Sequence, residues 1–153
     1  MKILLVGFTT LARMPYANLY LDALTNTGNE VHLLYWNRDG KSDPLHVTAV
    51  HSYHEFRLPQ EDQVARITKI PGFLRYRHYV KCLVKEHDFD LLVVMHTIPA
   101  LILWDLLRWR FSGRYILDFR DLTFEHFPPY RTAIGAIANR ATAVFVSSAA
   151  FRA

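Results

Sequence analysis

Cysteine is almost missing from this chain. Cys82 is the only one among 153 residues, so no internal disulfide can form, and a reducing, cytosolic setting fits better than a secreted one. Cys82 itself reads as a small buried hydrophobe. Long apolar runs are missing too. The longest, Ile98 to Trp104, falls far below the roughly 20 residues of a spanning helix, and Ile3 to Val6 is too short for a signal-peptide core. The expectation is a soluble, cytoplasmic protein, with a peripheral position at the inner face of the membrane left open. There is no low-complexity tract, linker or internal repeat, and the length suits one domain over 1–153. The Gly-x-Gly-x-x-Gly of a dinucleotide-binding turn is absent after the first apolar run, where the chain has Gly7-Phe8-Thr9-Thr10. That turn also lacks the phosphate loop or acidic pocket of a flavodoxin-like or receiver domain. No nucleic-acid motif is present, so nucleic acid is not an expected partner.

What is present is globular and slightly greasy: 51% hydrophobic, 14% aromatic and 21% charged, with a net charge of +4 that favours anionic partners. Short apolar runs alternate with helical periodicities. Lys2 to Val6 and Val31 to Tyr35 read as interior parallel strands, joined by a helix from Pro15 to Thr27 that stops at Gly28. Asn37 to Pro44 has loop composition, and Tyr53 to Leu58 alternates well enough for a marginal strand. Pro71 opens a helix to about Glu86, with Phe73, Tyr76, Val80 and Leu83 on one face. Asp90 to Met95 is another strand. Thr97 then caps a helix from Ile98 to about Arg110 that is apolar nearly all round and should be largely covered. Tyr115 to Leu117 forms a strand, Thr132 to Arg140 an Ala-rich helix, and Ala143 to Val146 a last strand. Together these predict an α/β, doubly wound, Rossmann-like sheet of five to six mostly parallel strands with helices on both faces.

Charged side chains gather where the Tyr115 strand ends, in Asp118-Phe119-Arg120-Asp121, with Glu125 close behind. In an open α/β sheet the ligand crevice lies outside the carboxyl ends of the strands, so these charges are candidates for ligand contact. An internal Asp-Arg ion pair fixing the loop is the bland account. Gly7, Phe8, Thr9 and Thr10 should face the same crevice, where backbone N–H groups meet a phosphate or sugar hydroxyls, although a plain tight turn would also place a glycine there. From Arg66 to Lys85 there are six Lys or Arg and no carboxylate. Arg75, Arg77, Lys81 and Lys85 form either a solvated face or a surface for anionic lipid head groups. His46, His51, His54, His78, His87 and His126 show no metal spacing, and no metal is expected.

Several of these features, in order and spacing, resemble the amino-terminal domain of a GT-B glycosyltransferase of the family 4 type found in bacterial capsule, exopolysaccharide and lipopolysaccharide assembly. They are Lys2-Ile3-Leu4-Leu5-Val6-Gly7, Gly28-Asn29-Glu30-Val31, Asp88 to His96, Asp118-Phe119-Arg120-Asp121-Leu122, and Ala141 to Ser148. The resemblance implies one half of a GT-B fold, the acceptor-binding half of a retaining glycosyltransferase. Such an enzyme moves a sugar from a nucleotide-sugar donor to a saccharide or lipid-linked acceptor, without a cofactor. Arg120, Asp121 and Asp118 would then be catalytic, and His96 and Glu125 would contact acceptor or donor. The donor-binding carboxyl-terminal domain is absent from these residues, so the chain is expected to be a piece of a longer protein, inactive alone. The alternative is a free-standing Rossmann-like ligand-binding or regulatory domain without catalysis.

Overall fold

The computed structural model describes residues 1–41, 50–61, 65–119 and 127–146. Among these residues six strands, β1 (Lys2–Val6), β2 (Glu30–Asn37), β3 (Ser52–Arg57), β4 (Leu91–Met95), β5 (Tyr115–Phe119) and β6 (Ala143–Val146), form one sheet in the order β3-β2-β1-β4-β5-β6. Every pairing is parallel, with Ile3 beside Val31 on one side and Leu91 on the other. The three central strands are buried on both faces, which is why they read as unbroken apolar runs rather than alternating ones.

Among the described residues four α-helices cover the sheet: α1 (Ala17–Thr25), α2 (Ile70–Glu86), α3 (Thr97–Ile102) and α4 (Pro128–Ala138). Strand alternation sorts the core into two layers. Ile3, Leu5, Leu33, Val93 and Met95 face Ala17 and Leu21 of α1 and the nearby Met14. Leu4, Val6, Leu34, Trp36, Leu92 and Val94 face Tyr76, Val80 and Leu83 of α2 and Ile134 and Ile137 of α4. Helices thus lie on both faces, as expected.

Three local expectations change. The helix expected over 98–110 divides into α3 and a π-helical turn over Leu106–Arg110, where the Phe111 N–H donates to the Leu106 carbonyl at 3.1 Å. The wider turn brings Leu106, Leu107 and Phe111 inward together and leaves Trp104 and Trp109 outside, so this segment is not covered all round. Cys82 is exposed, with Sγ 3.6 Å from His78 Nε2, because its position on α2 faces away from the sheet. Lastly, the basic stripe of α2 does find a carboxylate, from a neighbouring element: Asp105 Oδ2 lies 2.7 Å from Arg77 and 2.5 Å from Lys81.

Candidate functional site at the carboxyl edge of the sheet

Because all six strands are parallel, their carboxyl ends share one edge, and the chain order reverses between β1 and β4. A crevice at such a reversal is the usual ligand position in doubly wound sheets. Gly7 ends β1 there, and His96 ends β4.

Gly7 sits in close packing. Its N–H donates to the Leu34 carbonyl at 2.8 Å, and its own carbonyl accepts from the Tyr76 hydroxyl at 2.7 Å. A Cβ at this position would lie 2.6 Å from the Met14 Sδ and Cε atoms and 3.0 Å from the Leu34 oxygen. Burial pushes the Tyr76 phenol far above its ordinary pKa, so it remains the donor. Phe8 points inward, edge-on to Trp36 and Tyr76 at 5.1 and 5.2 Å. Its ring is part of the core and does not line the crevice. Thr10 is buried as well, and Thr9 is the half-buried member of the four.

The aromatic cluster has a further role that the sequence did not reveal. The Arg38 guanidinium lies over the rings of Phe8 and Trp36, at 4.6 and 4.4 Å from their centres. Stacking on two rings fixes a cation at the ends of β1 and β2. Beside it opens a pocket of about 840 Å³ lined by Arg13, Arg38, Lys41, Asp39, Glu61, Pro59 and Gln60. Arg38 has no spacing signature, since what selects it is the register that brings Phe8 to Trp36.

His96 has a backbone that only glycine adopts freely, with φ 86° and ψ 156°. Holding a residue with a Cβ there costs about 1 to 3 kcal/mol, and such strain persists where surrounding contacts over-determine it. Here the His96 N–H donates to the Asp118 carbonyl at 3.0 Å, and the ring meets Tyr16 edge-on at 5.4 Å with the Tyr16 hydroxyl bonded to Nε2. The next residue, Thr97, is buried and accepts from the Tyr130 hydroxyl at 2.5 Å. His96 is thereby tied to Tyr16 at the start of α1 and to β5, and through its neighbour to α4.

The structure brings Asp118 to the same place, opposite Met95 in register, although it is only 2% exposed and sits beneath the edge rather than on it. Arg120, Asp121 and Glu125 lie outside the described residues. Of the four cations expected at a lipid surface, Arg77 and Lys81 are engaged by Asp105, whereas Arg75 and Lys85 are exposed. Burial pulls the Asp105 carboxyl upward, but the Lys81 hydrogen bond, the Leu106 N–H and the two cationic charges outweigh it and hold the group below its ordinary value. Among the described residues no helix is long and apolar enough to cross a membrane.

At the opposite, amino edge the pairing of β2 with β3 collects a group that the sequence spacing hides. Glu30 Oε1 lies 2.9 Å from His32 Nε2, 3.2 Å from Lys2 Nζ and 3.6 Å from His51 Nε2. His54 stacks on His32 at 5.2 Å, with its Nε2 atom 2.9 Å from His32 Nδ1, and His87 closes the group. The His32 hydrogen bond and then Lys2 hold Glu30 down to about 2. Burial lowers His32, and burial with the neighbouring cations brings His54 to about 4.

Residues 15–153 match the model of the glycosyl transferase 4-like domain. No curated protein sequence matches the chain. Among solved structures, two of sucrose-phosphate synthase from Thermosynechococcus elongatus are similar. One has a TM-score of 0.66 at 17% identity, covering 99% of this chain and 79% of that one. The other has 0.69 at 15%, covering 97% and 42%. The C-terminal domain of PF1911 hydrogenase from Pyrococcus furiosus is also similar, with a TM-score of 0.59 at 17% identity over 76% of this chain and 89% of that one. Identities this low establish a shared fold, and a hydrogenase domain in the same set shows that the fold alone does not select a chemistry. The family match runs through the strained turn at His96 and the charged end of β5, and by that match the chain belongs to the glycosyl transferase 4-like domain family.

Proposed function

We propose that this chain forms the acceptor-side wall of a retaining glycosyltransferase, which moves a sugar from a nucleotide-sugar donor to a saccharide or lipid-linked acceptor against a second, donor-binding domain. The observation that carries the reading is His96. A strained, ring-bearing residue stands at the point of strand-order reversal, in a family defined by sugar transfer. In this reading the His96 imidazole hydrogen-bonds a sugar hydroxyl. Arg120 and Asp121, just past β5, contact the diphosphate and the attacking hydroxyl, with Asp118 and Glu125 as supports. The stacked Arg38 and the polar pocket beside it extend the acceptor side. In this reading transfer needs no metal, because basic residues of the donor-binding domain would balance the departing diphosphate. Thr9 and the Gly7 turn border the crevice, while Phe8 supports it from below.

A peripheral place on the cytoplasmic face of a membrane suits a lipid-linked acceptor, with exposed Arg75 and Lys85 toward anionic head groups. Sedimentation with anionic vesicles should weaken when both become Ala, and unchanged sedimentation removes that part of the reading. The function itself is tested in the whole protein by nucleoside diphosphate release from a panel of nucleotide sugars. Arg120→Ala and Asp121→Ala should each remove turnover while the protein stays folded, and full turnover in both variants would refute the assignment.

A further inference from the structure

Strand β2 places His32, Leu34 and Trp36 on one face, where the last two are wholly buried core residues. Position 32 calls for an apolar side chain by this pattern. It holds instead an imidazole that is 3% exposed, walled by Phe89 at 5.1 Å and by three other histidine rings, His51, His54 and His87, at 5.2 to 5.6 Å. Four imidazoles and one carboxylate thus meet at the amino edge, at the other end of the strands from His96. They come from β2, from the residue before β3, from β3 itself and from the turn after α2, so no local sequence spacing announces them.

The donor atoms are spaced for a cation. One ligand atom each of Glu30, His32 and His51 lies within 4.8 Å of the other two, and Glu30 Oε1 stands 2.9 Å from His32 Nε2 and 3.6 Å from His51 Nε2. Four ligands about 2.0 to 2.1 Å from a tetrahedral Zn²⁺ stand roughly 3.3 Å apart, a value the two separations bracket. The half-exposed Glu30 and the 61% exposed His51 have room to close the third distance. The outer contact is also in place. His32 Nδ1 lies 2.9 Å from His54 Nε2, so a cation that takes the His32 Nε2 lone pair in place of the hydrogen bond to Glu30 leaves the Nδ1–H to donate to His54. Ordering of a ligating ring through its other nitrogen is the common second contact of zinc-bound histidine. Lys2 now balances the carboxylate at 3.2 Å, and a divalent ion would take over that charge.

We propose that Glu30, His32 and His51 form a binding site for a borderline divalent transition-metal ion, with Zn²⁺ as the fitting member, and that His54 is its positioning residue. Two imidazole nitrogens and one carboxylate oxygen select such ions over Mg²⁺ or Ca²⁺, and the surface position leaves a fourth coordination place for water. The ion pins β3, an edge strand, to β2 and acts on stability, at the far end of the sheet from sugar transfer.

The test is calorimetric titration of the chain with Zn²⁺, paired with melting curves and with the visible absorption of Co²⁺ in the same site. One equivalent should bind, raise the melting temperature and give the intense absorption of tetrahedral Co²⁺. His51→Ala and Glu30→Gln should each weaken Zn²⁺ by at least about 10-fold, the scale that even outer contacts reach. His51→Ala carries the test if Glu30→Gln fails to fold, because the His51 side chain is mostly in solvent. A His78→Ala, Cys82→Ser double variant should bind as the parent does. Equal affinity in parent and His51→Ala, or loss of binding in the His78, Cys82 variant alone, would overturn the assignment.

Discussion

The two ends of one parallel sheet differ in how they hold their polar groups. At the carboxyl edge the backbone is strained at His96, a guanidinium is stacked on Phe8 and Trp36, and Gly7 packs closely on Met14 and the Leu34 carbonyl. At the amino edge no non-glycine residue among those described has a positive φ, and side chains answer one another directly: Glu30 with Lys2, His32 and His51, and His32 with His54. Parallel strands make this asymmetry possible, because every carboxyl end falls on the same side. Strain persists at the edge where the proposed function places a ligand, and paired charges gather at the opposite one.

Trp36 supports the carboxyl edge. It is wholly buried, donates to the Leu58 carbonyl at 2.8 Å, and stacks on Tyr76 at 5.3 Å. Trp36→Ala should cost about 3 to 5 kcal/mol in urea denaturation. A loss under about 1 kcal/mol would mean that the aromatic platform is not what holds Arg38 at the edge.

Asp105 tests whether pairing away from the carboxyl edge stabilises the fold. Asp105→Asn should lose about 1 to 2 kcal/mol at neutral pH, a figure discounted for the partial exposure of Arg77 and Lys81. Its carboxyl is lowered in the fold from 3.8, so the stabilisation is complete above that value and disappears as pH falls through the lowered folded pKa. The gap between parent and variant should therefore close in acid, and a gap that persists there would rule out the ion pair as its source.

A smaller effect concerns His96 directly. His96→Gly should be more stable than His96→Ala by about 1 kcal/mol, since glycine alone relaxes φ 86°. Equal stabilities would deny the strain. The smallest effect belongs to the amino edge: without metal, His51→Ala should change stability by less than about 0.5 kcal/mol.

Much of the fold was legible before any coordinates. Central strands announce themselves as unbroken apolar runs, and α2 follows from Pro71 and the spacing of Tyr76, Val80 and Leu83. What escaped depends on partners distant in sequence. Asp105 is 24 and 28 residues from the cations it pairs with, so the α2 stripe looked unopposed. His32 meets His54 only through the β2 to β3 register, and the bend after α3 rests on a π-helical turn that apolar periodicity does not distinguish from a regular one. At the site, His96 was legible as a strand-end residue, but its strain was not, because backbone angles at a crossing of three elements are set by packing. Phe8 shows the converse, since its place after β1 suggested a ligand contact and its ring went to the core.

The most direct measurement is sugar transfer by the whole protein with His96→Ala beside His51→Ala, one substitution at each end of the sheet. Loss of about 100-fold or more in kcat/KM for His96→Ala, with His51→Ala within about 2-fold of the parent, is the predicted result. Transfer that survives His96→Ala unchanged, or fails equally in both, would contradict the placement of the chemistry at the carboxyl edge.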